Sequence, residues 1–202
     1  FSGKKVTVVG TGISGIGAVG LLNAVGAEVV LYDGNEKLKI EDIEKKLGTY
    51  KAEIVLGELT KELTDSSDLL VISPGVPIDS PVVKAFEAAG VPVWGEVELA
   101  YAFDKGKVLA ITGTNGKTTT TALVGQIVGA YHKDTFVVGN IGNPYTTEVL
   151  KSNKDSYTVA EISSFQLETV HEFHPLVSAI LNITPDHLDR HHTMEAYIRA
   201  KE

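Results

Sequence analysis

Residues 108–121 read VLAITGTNGKTTTT: a short apolar run, a glycine-framed turn, a lysine and a string of threonines. An apolar, β-branched run that stops at Gly113 predicts a strand, and the segment from Thr118 to Val128 predicts a helix. The glycines then fall in the turn between them, where backbone N–H groups and the positive end of the helix can cradle an anion. The strict P-loop pattern G-x-x-x-x-G-K-[ST] asks for glycine where Ile111 stands, so that pattern fails. Its mechanics survive: N–H groups from 113 to 118 can cradle phosphates, Lys117 can bridge the terminal ones, and the Thr118 hydroxyl can ligate Mg²⁺.

Toward the start of the chain, VVGTGISGIG at residues 8–17 poses the same question a second time. Gly10, Gly12 and Gly15 match G-x-G-x-x-G directly after an apolar strand pattern, and Asp33 closes the next one. A carboxylate there can accept hydrogen bonds from ribose or a base edge. Taken alone, these residues fit an NAD domain, or glycines that serve only close packing of helix on strand.

Working outward, apolar runs alternate with helical segments, the pattern of βα units on a mostly parallel sheet. Strands are expected at 5–9, 28–32, 53–56, 69–72 and 91–94, then at 108–111, 135–138, 157–160 and 177–181. Helices are expected at 13–25, 40–47, 80–89 and 96–103, with Ser80-Pro81 as cap and first residue of the third. The polar break Asp104-Lys105-Gly106-Lys107 marks a boundary near 105. The fold class is therefore α/β: a Rossmann-like N-terminal domain over 1–105, then part of a P-loop-type ATPase domain over 106–202.

With 202 residues, no cysteine, a formal net charge of -8 and a pI near 5.3, the chain lacks the basic face expected of a nucleic-acid binder. It also lacks a disulfide framework. The glycine spacing argues against reading KKVTVVGTGISGIGAVG as a secretory signal, and no apolar run reaches the length of a membrane span. A cytoplasmic protein, not inserted in a membrane, is the expectation. The sequence opens without Met and stops inside TMEAYIRAKE, a helical pattern without a stop signal, so a piece of a longer chain is expected.

Beyond the second loop, Glu161 ends a strand pattern, Asp186-His187-Leu188-Asp189-Arg190 follows another, and Lys201 comes later. Carboxylate and imidazole beside a triphosphate suit Mg²⁺. Plainer roles are a lysine partner for Glu161, and surface or capping positions for His171, His174, His191 and His192.

These motifs together resemble the Mur ligases of bacterial cell-wall synthesis: GTNGKTTTT, GNIGNP (139–144), EISSFQLE (161–168) and LNITPDHLDRH (181–191). EISSFQLE, VVGTGISG, ISPGVP (72–77) and GEVEL (95–99) point to the branch that adds D-glutamate. The resemblance covers an N-terminal domain and about half of a central ATPase domain. It implies an ATP-dependent amide ligase acting through an acyl phosphate, with UDP-N-acetylmuramoyl-L-alanine, D-glutamate and ATP as small-molecule substrates, and a monomer.

By the same resemblance, Gly12, Ile13, Ser14, Asp33, Ser73 and Gly75 hold the UDP-linked substrate, with Asn140 and His187 toward its muramoyl end and Ser163 as a phosphate or substrate contact. Gly113, Thr114, Asn115, Gly116, Lys117, Thr118 and Thr119 bind ATP. Lys117, Glu161, His187 and Lys201 carry the catalysis. Thr118 and Glu161 hold one Mg²⁺, His187 helps hold a second, and Lys201 bears a carbamate, with Tyr197 on the same helical face as its anchor. The chain by itself is expected to be inactive. Another Mur-type ligase, or a non-catalytic nucleotide-binding module, is the alternative.

Overall fold

The computed structural model describes residues 1–202. Two all-parallel sheets succeed one another along the chain. In the first, β1 (Lys5–Val9), β2 (Glu28–Asp33), β3 (Glu53–Leu56), β4 (Leu69–Ile72) and β5 (Val93–Gly95) lie in the order β3-β2-β1-β4-β5. The order reverses beside β1, which puts the crevice for a ligand at the carboxyl end of that strand. The second sheet, β6 (Lys107–Thr112), β7 (Thr135–Gly139), β8 (Tyr157–Glu161) and β9 (Val177–Ile180), has the order β7-β8-β6-β9.

The strands form as their composition dictates. KVTVV and LLVI are covered on both faces by helices and carry no alternation, as buried parallel strands should not. Strand β9 is the exception: it pairs with β6 on one side only, and Leu176, Val177 and Ile180 are 64, 53 and 45 % exposed. One expected helix is shorter than its pattern, since α5 (Glu96–Tyr101) ends before Phe103, and β5 begins two residues later than expected, after Pro92 has broken the run. Helix α3 (Lys61–Ser66), capped by Thr60 accepting from the Leu63 N–H, is too short to show a period and was not expected.

Helix α1 (Ile13–Ala24) is apolar nearly all round because it packs on its own sheet, on α5 and on α7 (Tyr145–Glu148). Through it a single apolar cluster runs from Val6 and Leu22 across Val97 and Leu99 to Val108, Tyr145 and Ile162, so both sheets share one core. No helix is long and apolar enough to cross a membrane.

Asp104, expected in a polar break, is instead a hub between the halves. Its Oδ2 accepts from the Tyr145 hydroxyl at 2.6 Å and from Thr158 Oγ1 at 2.8 Å, while Oδ1 accepts from the Gly106 N–H at 2.7 Å. Burial pushes the Tyr145 phenol well above its ordinary pKa, and the Asp104 charge adds to this. Two further carboxylates from α5 reach into the second half. Glu98 accepts the N–H groups of His171, Glu172 and Phe173 at 2.8, 2.8 and 3.2 Å. Glu96 accepts from Thr146 N–H and Oγ1 and from Gln166 Nε2, each at 3.3 Å; burial nonetheless raises its pKa, because these bonds only partly offset the lost water.

Candidate functional site

The first loop is shaped by two close approaches of backbone. A Cβ on Gly15 would overlap the Gly10 carbonyl oxygen, so helix and strand meet only because that residue has none. Gly12 caps α1 without a side-chain hydrogen bond, which leaves the N–H groups of its first turn free for an anion. Ile13 stands 79 % exposed there and Ser14 is half-buried.

Asp33, at the end of β2, accepts from Thr11 N–H at 3.3 Å and Thr11 Oγ1 at 3.0 Å, and its second oxygen accepts from Asn35 N–H at 3.1 Å. The carboxylate therefore braces the loop as well as facing it. Ser73, just after β4, keeps a buried Oγ with no partner, close under Gly10, and Gly75 lies exposed in the next turn. A cleft of about 630 Å³ opens beside Gly12 and Ile13, walled by Lys46 and Tyr50 on one side and by Asn143, Pro144 and Thr147 of the second half on the other.

The second loop joins β6 to α6 (Lys117–Tyr131). Gly116 caps the helix at φ 82°, a left-handed conformation that suits glycine. Lys117 opens the helix and folds back, donating to the carbonyls of Gly113 and Thr114 at 2.9 Å each. Thr118 and Thr119 are exposed on its first turn. The expected cradle of N–H groups from 113 to 118 is narrower than the sequence implies. Thr114 N–H bonds the Asn182 carbonyl and Asn115 N–H the Asn182 Oδ1, both at 2.9 Å, leaving the N–H groups that begin α6 open to an anion. Behind the loop, Thr114 Oγ1 shares a 2.8 Å bond with the Tyr197 hydroxyl.

Glu161 ends β8, in register with Ile111 on one side and Gly139 on the other. It is 1 % exposed; Oε1 accepts from Asn140 Nδ2 at 2.9 Å, and Oε2 is buried with no partner. No lysine pairs with it. An ionised oxygen left bare in the interior is costly, and a divalent cation that takes its other positions from phosphate and water fits this donor. A full protein cage is absent: no three His, Cys, Asp or Glu side chains surround a common point.

Lys201 ends α10 (Met194–Lys201) and is 6 % exposed. Its Nζ donates to Thr112 Oγ1 at 3.0 Å and to the Gly113 carbonyl at 3.3 Å, the same carbonyl that Lys117 uses. Burial first, and the Lys117 charge second, push its pKa down to about 8. The amine lies over the Tyr197 ring, 5.1 Å from its centre, as the shared helical face predicts.

His187 makes no hydrogen bond to Lys117, Glu161 or Lys201. At φ 52° it tilts onto Phe165, ring centres 4.8 Å apart, and its Nε2 is 3.5 Å from Asp186 Oδ2. Ser163 acts locally, capping α8 (Ser164–Leu167) in a reciprocal box with Gln166. Asn140, besides holding Glu161, donates its backbone N–H to the Glu161 carbonyl at 2.9 Å.

The sequence reading missed one cluster and misplaced a member of it. His191, expected at the surface or as a cap, is 5 % exposed, because its ring is bonded at both nitrogens and packed on Phe165 and Tyr197. Its pKa is lowered, chiefly by burial. Nδ1 lies 3.2 Å from Glu168 Oε1 and Nε2 2.9 Å from Ser164 Oγ, while Glu168 Oε2 accepts from Arg190 at 2.6 Å. The sequence signal, acids and bases inside EISSFQLE and DHLDRH, was present without indicating that they pair.

Two parallel sheets, each with a strand, an open glycine loop and a helix, define the class: a tandem α/β protein with a glycine loop before a helix in each half. Residues 4–95 match the Mur ligase MurD-like N-terminal domain and residues 111–202 the Mur ligase middle domain, so the chain belongs to the Mur ligase family. It is 73 % identical over 98 % of its length to the UDP-N-acetylmuramoylalanine--D-glutamate ligase of Lachnospira eligens, and 61 % identical over 100 % to that of Lachnoclostridium phytofermentans. In each case the chain spans 44 % of the relative's length. Among solved structures, the UDP-N-acetylmuramate:L-alanyl-gamma-D-glutamyl-meso-diaminopimelate ligase of Neisseria meningitides shares the fold, with a TM-score of 0.58 at 18 % identity. That match covers 98 % of this chain and 66 % of the other.

Proposed function

We propose that the chain supplies the UDP-substrate domain (1–105) and the first part of the ATP domain (106–202) of a ligase that adds D-glutamate to UDP-N-acetylmuramoyl-L-alanine in peptidoglycan precursor synthesis. The family uses ATP and Mg²⁺. The observation that carries the reading is the unpartnered, buried Oε2 of Glu161 one strand away from the loop whose Gly113 carbonyl accepts from both Lys117, at the start of α6, and Lys201, at the end of α10. The names of the two relatives supply the substrate.

On this reading the first loop holds the diphosphate by the N–H groups opening α1, with Ile13 and Asp33 toward uridine. Lys117, released from its two carbonyls, meets the charge on the transferred phosphoryl group, and Glu161 and Thr118 hold Mg²⁺. The metal would offset charge on the phosphate oxygens when bound. A carbamate on Lys201, with His187 at a second Mg²⁺, belongs to the same proposal; its support is an amine whose lowered pKa frees a lone pair near pH 8. The reaction places the protein in the cytoplasm, where ATP is available.

Calorimetric titration of the 202-residue chain tests the reading. One equivalent each of UDP-N-acetylmuramoyl-L-alanine and MgADP should bind, and Lys117→Ala should abolish only the second. Phosphate release from ATP with both substrates present should be absent. Binding of NADH that Lys117→Ala leaves untouched, without binding of the UDP compound, would overturn the assignment. Mass measurement with and without bicarbonate checks the carbamate on Lys201.

A further inference from the structure

Ser164, Glu168, Arg190 and His191 form a buried polar network that the proposed reaction does not use. Arg190 and Glu168 are 12 and 9 % exposed at the side chain. The order carboxylate, imidazole, hydroxyl is that of a hydrolytic triad. Ser164, however, is 3 % exposed in the first turn of α8, where no substrate can reach its oxygen.

The network has a different reach. The guanidinium of Arg190 donates to Glu168 and also crosses to the first half, bonding the Val76 carbonyl at 3.0 Å and the Pro74 carbonyl at 3.4 Å. These carbonyls flank Gly75. The same guanidinium lies over Phe165, 4.7 Å from the ring centre, and the Phe165 ring also carries His187. The helical turn bearing Arg190 (Leu188–His191) is bracketed by His187 at φ 52° and His192 at φ 64°. Left-handed conformations at two non-glycine residues persist only where surroundings over-determine them, and the Arg190 and His191 bonds do so.

We propose that Arg190 is a positioning residue for the first ligand: its planar fork fixes turn 74–76 to the segment carrying His187, so one side chain sets where the UDP-linked substrate lies relative to the second loop. This rests on the assignment of turn 74–76 to that substrate. A lysine cannot replace it, because a point ammonium cannot serve a carboxylate and two carbonyls from one plane.

The test measures affinities for UDP-N-acetylmuramoyl-L-alanine and for MgADP in the parent chain, Arg190→Lys and Arg190→Ala, with thermal melting alongside. The UDP compound should bind about tenfold more weakly to Arg190→Lys and weaker still to Arg190→Ala, while MgADP changes by less than about twofold. Should Arg190→Ala fail to fold through the orphaned Glu168, the neutral pair Arg190→Met with Glu168→Gln takes its place and should show the same selective loss. Equal loss of both affinities, or undiminished binding of the UDP compound in a variant that melts like the parent, overturns the proposal. If the parent itself does not bind the UDP compound, the functional reading falls and the proposal with it.

Discussion

Asn140 donates its side-chain amide to one oxygen of Glu161 and leaves the other oxygen buried and bare, the two residues standing where neighbouring strands β7 and β8 end. The bond orients the carboxylate so that a single acceptor is presented, as the Mg²⁺ role proposed for Glu161 would require.

Replacing Glu161 with Gln should therefore remove the Mg²⁺ dependence of nucleotide binding without disturbing the fold. ADP titrations with and without Mg²⁺ should differ by about tenfold or more in the parent chain and coincide in the variant. An undiminished metal effect would take Glu161 out of the site.

Gly15→Ala tests the first loop. The added methyl must displace the Gly10 carbonyl, which is backbone and cannot swing away. We expect a loss of about 2 kcal/mol or more in urea unfolding, in the range of overpacked cores, together with weaker binding of the UDP compound. A neutral effect would mean that the loop relaxes freely.

Glu98→Ala should loosen the two halves. Three N–H groups, of His171, Glu172 and Phe173, would lose their acceptor; the bonds are only part-buried, so water offsets much of the ~1–3 kcal/mol that a fully buried donor left bare would cost. Scanning calorimetry should show one transition for the parent and two for the variant. A single transition at the parent's midpoint would show that the shared apolar cluster alone joins the sheets.

Lys201 predicts a pH dependence with a definite sign. Its folded pKa of about 8 lies below the ordinary 10.5, so between those values the unfolded chain binds more protons and stability rises with pH. Below about pH 8 both states are protonated and the burial penalty is carried in full. Lys201→Met should be more stable than the parent at pH 7 and should flatten the rise between pH 8 and 10.5, read as the difference between two urea-midpoint profiles. Parallel profiles would place the lysine in water.

The two loops were legible because a glycine motif states a local backbone requirement, and the strands around them because continuous apolar runs mark buried parallel sheet. Lys201 and Tyr197 were legible as neighbours because helical spacing fixes them. Arg190 and Pro74 are 116 residues apart, and no periodicity links them. The same holds for Asn182, which takes up two N–H groups of the second loop, and for Glu98, whose partners are backbone and carry no side-chain signature. His191 looked like a surface histidine for the same reason: its burial depends on Glu168 and Ser164 arriving from another motif.

Strand β9 has one unpaired edge, so self-association that grows with concentration is the expected outcome, read by light scattering. One long side of Val177–Ile180 offers a row of ungratified amides and carbonyls flanked by bare aliphatic side chains, with no charge or proline within the strand to deter a visitor. Whatever extended segment comes along finds a template, and at high concentration the nearest such segment belongs to another copy.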